Sequence, residues 1–179
     1  MIDLALVWVG IIGLGVLIYV VMDGFDLGIG ILFPFMNGTQ ERDVMMNTVA
    51  PVWDGNETWM VLGGAGLFAA FPLVYSTVLS ALYLPIIFMV VALIFRGVAF
   101  EFRFKATRTK YLWDLAFIWG SILSSFFQGV ILGAYIQGIQ TTNGIYSGGG
   151  WDWFTPFTCF TGLGVVVMYA TLGCGWLIW

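Results

Sequence analysis

Five long apolar stretches occupy most of this 179-residue chain. They run roughly over residues 4–22, 52–71, 77–95, 115–136 and 157–179. Each has about the 20 residues that a helix needs to cross ~30 Å of hydrocarbon at ~1.5 Å per residue. The sequence therefore predicts an all-α, polytopic transmembrane helix bundle.

The last stretch reaches Trp179 without the polar residues that usually follow a spanning helix. We therefore expect residues 1–138 to form a bundle of four complete transmembrane helices. Residues 139–179 should form an outer loop and a fifth transmembrane helix, truncated or terminal, and we expect the protein to continue beyond them.

The composition agrees with a bilayer as the surrounding medium. Hydrophobic residues make up 60% of the chain and charged residues only 9%, against roughly 25% charged in soluble domains. Only six residues are Lys or Arg, which leaves no basic surface for a nucleic acid, so no nucleic-acid partner is expected.

The distribution of Lys and Arg predicts the orientation in the membrane. The connection after the third stretch carries Arg103, Lys105, Arg108 and Lys110, and the first connection carries Arg42. The N-terminal segment, residues 72–76 and residues 139–156 carry none. Because positive loops stay in the cytoplasm, we predict that the N-terminus lies outside and that the basic loop 102–113 lies in the cytoplasm.

Charged residues gather at the predicted cytoplasmic ends of the helices. They are Asp23, Asp26, Asp54, Glu57, Arg96, Glu101 and Asp114. Asp23 and Asp26 in the first helix, and Asp54 and Glu57 in the second, are each three residues apart and so lie on neighbouring helix positions. Ionisable groups at such depth are costly and usually face the bundle interior or a water-filled path.

Simpler structural explanations stay open for several of these residues. Asp23 and Asp26 could end the first helix in a turn-prone segment, and Asp54 could be a helix-start residue favoured by the dipole. Arg96 could extend towards the lipid headgroups. Three helices nevertheless supply charges at one level, and Glu57, about one turn (~4.5 Å) deeper than Asp54, is the hardest to explain as an interfacial residue.

Two further patterns concern contacts between helices. Ser121, Ser125 and Gln128 lie on one face of the fourth predicted helix, because their spacing follows the helix period. They either hydrogen-bond to neighbouring helices or carry protons or water. The glycine pairs at residues 24 and 28 and at residues 129 and 133 predict close approach of two helices.

The chain contains no histidine. Haem and other iron or copper centres of membrane oxidoreductases are mostly held by imidazole. We therefore expect that this chain holds no metal and no haem ligand of its own.

Four segments resemble subunit II of the cytochrome bd-type quinol oxidases, and among these the cyanide-insensitive branch. They are MDGFDLG at 22–28, APVWDGNETW at 50–59, FAAFP at 68–72 and FRGVAFEFR at 95–103. The Trp-Asp-Gly-Asn-Glu run at a helix start is the most specific of the four. The resemblance covers the whole chain, although the subunit of that family is nearly twice as long.

The resemblance implies a multi-pass protein of the bacterial cytoplasmic membrane. It implies a terminal oxidase that oxidises membrane quinol, reduces oxygen to water and takes protons from the cytoplasm. In that family the haem-bearing subunit I holds haem b, haem d and the quinol site, so this chain would be its non-haem partner. The family subunit can also hold a structural quinone, which no residue here places.

The resemblance also implies roles for the charged residues. Asp54 would lie near the mouth of a proton path, with Glu57 one turn deeper, and these two are the candidate proton-uptake residues. Asp26, Arg96 and Asp114 match charged positions of the family and would form one buried ion-paired group at the subunit interface. Asp23 and Glu101 would be further structural charges there.

Two alternatives of other classes stay open. The chain could be a segment of an ion-coupled transporter, whose site would be expected near the bilayer midplane. It could also be a purely structural scaffold subunit whose charges serve assembly alone. The scaffold alternative predicts that neutral replacements that preserve assembly leave turnover intact.

Overall fold

The computed structural model describes residues 3–178. Within them the chain forms six α-helices: α1 Leu4–Leu32, α2 Thr39–Val49, α3 Trp53–Ala70, α4 Pro72–Phe102, α5 Lys110–Gln137 and α6 Pro156–Ile178. Two short antiparallel strands, β1 Thr141–Thr142 and β2 Ile145–Tyr146, lie between α5 and α6. The all-α prediction is confirmed. The predicted ends at residues 1 and 179 lie outside the described residues.

Four helices of the described chain are long and apolar enough to cross a membrane: Leu4–Phe35, which includes a short 3-10 turn after α1, and α4, α5 and α6. The second predicted stretch forms α3, but α3 is not among these four. Its 18 residues cover only ~27 Å at ~1.5 Å per residue. Asp54, Asn56 and Glu57 also make its first turns polar.

Helix α1 continues well beyond its predicted end at residue 22 and finishes at Leu32. Asp23 and Asp26 therefore lie inside the helix, and the interpretation that they end it is wrong. The helix continues because the apolar positions Leu27 and Ile29 are fully buried in the bundle. It stops before the 3-10 turn Phe33–Phe35, which contains Pro34.

The helices approach one another closely at small residues. α1 packs against α3, α5 and α6, and α4 packs against α5. A Cβ atom on Gly28 would lie 2.7 Å from the backbone nitrogen of Gly173 on α6, and one on Gly129 would lie 2.6 Å from Cα of Gly162. The predicted close contacts at these two glycine pairs are confirmed.

Helix α2 was not predicted, because its sequence is polar overall. It nevertheless buries Met45, Met46 and Val49 in an aromatic core that includes Phe33 and Phe117. α2 therefore packs beneath the end of α1 and the start of α5, and it brings its own charged residues to that end of the bundle.

Candidate functional site

Arg96 on α4 is the centre of a first charged cluster, and its side chain is fully buried. Its Nη1 donates a hydrogen bond to Oδ1 of Asp23 at 2.7 Å, and its Nη2 donates to Oε2 of Glu57 at 3.4 Å. The guanidinium carbon also lies 5.9 Å from the centre of the Trp53 ring. Arg96 thus joins α1, α3 and α4, and the interpretation that it extends towards the headgroups is wrong.

Asp26 lies beside this pair on α1 and is only 1% exposed. Nδ2 of Asn56 donates a hydrogen bond to Oδ2 of Asp26 at 2.8 Å. Asn56 is itself buried, and the sequence analysis did not single it out. The signal was present, since Asn56 lies between the two candidate proton-uptake residues in the Trp-Asp-Gly-Asn-Glu run.

The two candidate proton-uptake residues differ in their surroundings. Asp54 is exposed, and among residues 3–178 its carboxylate makes no hydrogen bond or ion pair. The side chain of Glu57 is 24% exposed and contacts the buried Arg96. The two carboxylates lie one turn apart on α3, close enough for their charges to interact. Glu57 therefore lies between the exposed Asp54 and the buried cluster around Arg96.

A second charged cluster lies where α4 ends and α5 begins. Arg103 is fully buried and donates from Nη1 to Oδ1 of Asp43 on α2 at 2.5 Å. Its Nε donates to Oδ1 of Asp114 on α5. Asp114 also accepts from Arg42 at 3.2 Å, and Lys110 lies 2.9 Å from Asp43. This cluster attaches α2 to the transmembrane helices.

The pKa of Asp43 reflects these contacts. Partial burial opposes its ionisation, but hydrogen bonds from Lys110 and Arg103 outweigh burial and hold the pKa of Asp43 below its ordinary value of 3.8. A lowered folded-state pKa means that the stabilisation is complete at neutral pH. It is lost only in acid, as the pH falls through that lowered pKa.

The structure divides the ion-paired group predicted for Asp26, Arg96 and Asp114 into two. Arg96 and Asp26 belong to the first cluster, whereas Asp114 pairs with Arg103 in the second. Arg96 and Arg103 are seven residues apart, which is about two turns along one face of α4. Each arginine therefore contacts a different set of carboxylates, and the predicted single group does not form.

Glu101 belongs to neither cluster. It pairs with Lys105 at 3.2 Å, and both side chains are largely exposed, 68% and 72%. An exposed pair of this kind contributes little to stability. Lys110, which the sequence analysis used only to predict the orientation, also contacts Asp43.

The polar face of α5 joins three helices. Nε2 of Gln128 donates to Oη of Tyr19 on α1 at 2.7 Å, and Oη of Tyr169 on α6 donates to Oε1 of Gln128 at 2.7 Å. The alternative that this face hydrogen-bonds to neighbouring helices therefore holds for Gln128. Both tyrosines escaped the sequence analysis, because an isolated Tyr in an apolar helix gives no distinguishing signal.

The donor groups of the chain do not fit a haem iron held by imidazole, since the sequence has no histidine. Within residues 3–178, no group of three or more Cys, Asp and Glu side chains is arranged to hold a metal ion. Cys159 and Cys174 lie on one helix, about 22 Å apart along its axis, and both are free.

Membrane-spanning helices with paired ionisable side chains between them define a polytopic membrane protein with a buried charged site. The family model described as cytochrome bd terminal oxidase subunit II matches residues 4–179. The chain therefore belongs to the cytochrome bd terminal oxidase subunit II family.

Individual relatives agree with this family. The chain is 34% identical over 182 residues to the cytochrome bd-I ubiquinol oxidase subunit 2 of Escherichia coli, which covers 97% of this chain and 48% of the relative. It is 40% identical over 121 residues to the cytochrome bd ubiquinol oxidase subunit 2 of Bacillus subtilis, covering 66% and 36%. A probable cytochrome oxidase subunit 2 of Haemophilus influenzae is 33% identical, covering 88% and 44%. The chain thus spans about half the length of the Escherichia coli relative and less than half the length of the other two.

Proposed function

We propose that this chain is part of the non-haem subunit of a membrane quinol:oxygen oxidoreductase, which oxidises quinol and reduces oxygen to water. The family and the relatives named as ubiquinol oxidase subunits support this proposal. The names of these relatives give no support to the transporter alternative. The proposal assigns haem b and haem d to the partner, subunit I, and the lack of histidine in this chain supports that division.

The chain's own contribution is cytoplasmic proton uptake together with assembly of the complex. The observation that carries this proposal is the position of Glu57, whose carboxylate is partly exposed and also contacts the buried Arg96. A proton from water reaches the exposed carboxylate of Asp54 first and then that of Glu57, one turn deeper. Arg96 also contacts Asp23 at 2.7 Å, and the side chain of Asp23 is fully buried.

The scaffold alternative has a specific observation in its favour. Arg103 and Arg96 each join helices through buried ion pairs, and such contacts serve packing without any proton transfer. The scaffold role and the proton-uptake role are compatible for the second cluster. They make opposite predictions for Asp54, whose carboxylate makes no hydrogen bond or ion pair within residues 3–178.

A reduced-minus-oxidised optical spectrum tests the proposed division of cofactors. We expect the whole subunit to co-purify with its partner when the two are co-expressed, and the purified complex should show b- and d-type haem bands. The same subunit expressed alone is expected to show no Soret difference, because the proposal assigns the haems to the partner and the residues of this chain include no histidine. A stoichiometric Soret difference in the subunit alone would contradict the proposal.

The proposed orientation in the bacterial cytoplasmic membrane has its own test. Thr107 and Ser147 are both exposed and lie in the loops at opposite ends of α5. Single cysteines at these positions, in a background without Cys159 and Cys174, can be probed with an impermeant thiol reagent. We expect labelling of position 147 in intact cells and of position 107 only after permeabilisation. The reverse pattern would invert the topology.

A further inference from the structure

The first charged cluster holds more acids than its single buried cation can neutralise. Asp23, Asp26 and Glu57 contribute three negative charges when all are ionised, and Arg96 contributes one positive charge. Three negative charges and one positive charge leave two negative charges uncompensated. Such charges are very costly in a low-dielectric interior, and carboxylates there bind protons instead.

The contacts indicate which carboxylate is the poorest site for a charge. Asp23 contacts Arg96 directly at 2.7 Å. Glu57 contacts Arg96 at 3.4 Å, and its side chain is also partly exposed at the protein surface. Asp26 has neither advantage, since it is almost fully buried and the donor that contacts it is the neutral amide of Asn56.

The groups that face Asp26 come from three helices: Asp23 on its own helix, Asn56 and Glu57 on α3, and Arg96 on α4. Among the described residues, Oδ2 of Asp23 is fully buried and has no hydrogen-bond donor. The cluster thus contains a buried acceptor that is not satisfied by any side chain present. Among the same residues the buried Nε of Arg96 also lacks an acceptor, so the assignment of a proton rests on the excess of acids and on the burial of Asp26.

We propose that Asp26 holds a proton in the folded protein, as a neutral carboxylic acid, and that it stores this proton for the uptake route. Asn56 donates to Oδ2 of Asp26, which leaves Oδ1 as the oxygen that bears the proton. When Asp26 gives up the proton, it becomes ionised, and a proton that enters through Glu57 restores the neutral acid. The storage role rests on the proposed function, whereas the protonation state of Asp26 does not.

Two matched asparagine variants in the whole oxidase complex test the protonation state. Asn in place of Asp26 reproduces the size and neutrality of a carboxylic acid and still accepts from Asn56. We therefore expect Asp26→Asn to assemble as much haem-containing complex as the wild type. Asp23→Asn removes the anion that contacts Arg96 and should lower the yield roughly tenfold or more, because it breaks a buried ion pair.

Loss of assembly in Asp26→Asn, or equal assembly of the two variants, would overturn the proposal. Infrared spectroscopy of the assembled complexes gives an independent readout. The wild type should show the C=O stretching band of a protonated carboxylic acid, shifted in D2O, and Asp26→Asn should lack this band. Glu41→Gln, a change at an exposed acid of α2, is the control that should retain it. Retention of the full band in Asp26→Asn would overturn the proposal.

Oxygen consumption then separates the two parts of the inference. If Asp26→Asn lacks the band and also loses turnover, both the protonated state and the storage role stand. If it lacks the band and keeps wild-type turnover, the storage role is overturned while the protonated state stands. The proposed uptake at Asp54 is tested by a different variant, so its failure is distinguishable from either result.

Discussion

Arg103→Leu in the proposed oxidase complex is expected to lower the yield of assembled complex and to lower its unfolding temperature markedly. The change leaves Asp43 and Asp114 without their shared buried cation. Removing one partner of a buried ion pair typically costs about 3–5 kcal/mol of folding free energy, and the cost here should be smaller because Asp43 keeps Lys110 and Asp114 keeps Arg42 as partners. Helix α2 should detach first, because Arg103 joins it to the end of α4 and the start of α5.

Arg108→Leu is the matched control, since Arg108 belongs to the same loop and is exposed. It should leave the yield and the melting temperature of the complex unchanged. Arg103→Lys keeps the charge but loses the forked donor geometry that reaches two carboxylates at once, so an intermediate melting temperature is expected. A wild-type melting temperature for Arg103→Leu would show that the second cluster does not stabilise the fold.

The hydrophobic pattern was sufficient to predict most of the helices, because residues that face lipid or the core must be apolar over the whole span. It misplaced the end of α1, since Asp23 and Asp26 interrupt the apolar run. The interruption is a buried ionisable site within a continuous helix. Hydropathy alone cannot distinguish such a site from a helix end, because the partner that neutralises the charge lies on another helix.

The choice of ion-pair partners was the least predictable feature. Asp114 pairs with Arg42, which lies 72 residues away in sequence, and Arg103 pairs with Asp43, which lies 60 residues away. Asp43 lies in a segment whose polar sequence gave no reason to expect a helix. These pairs form only because α2 packs beneath the bundle. That packing depends on the three-dimensional fold, which the local sequence pattern does not reveal.

The two clusters differ in a way that bears on function. In the second cluster, both carboxylates have cationic partners, and its central Arg103 is fully buried. The first cluster has an excess of acids and a partly exposed member, Glu57. A group with matched charges suits packing, whereas a group with excess acids and a member exposed at the protein surface suits proton binding. The geometry therefore favours an assembly role for the second cluster and the proposed proton role for the first.

The Asp54→Asn complex is expected to assemble with its haems and to lose most of its turnover. Among residues 3–178 the carboxylate of Asp54 has no hydrogen bond or ion pair, so its replacement removes no structural contact. Asparagine has nearly the same shape but cannot bind and release a proton near neutral pH. If protons enter through this residue, oxygen consumption should fall by roughly tenfold or more. A positioned general acid or base typically contributes about a hundredfold or more to a rate, so a loss of this size is reasonable.

The haem spectrum of the variant must be recorded first, because a complex without haem would also consume no oxygen. Glu41→Gln, which neutralises another exposed acid of the same end of the bundle, should keep wild-type turnover and so controls for the loss of one surface charge. A fully assembled Asp54→Asn complex with wild-type oxygen consumption across the neutral pH range would contradict proton entry at Asp54. Asp54 would then be a helix-start residue, favoured there only by the dipole of α3, and the scaffold alternative would account for the remaining charges.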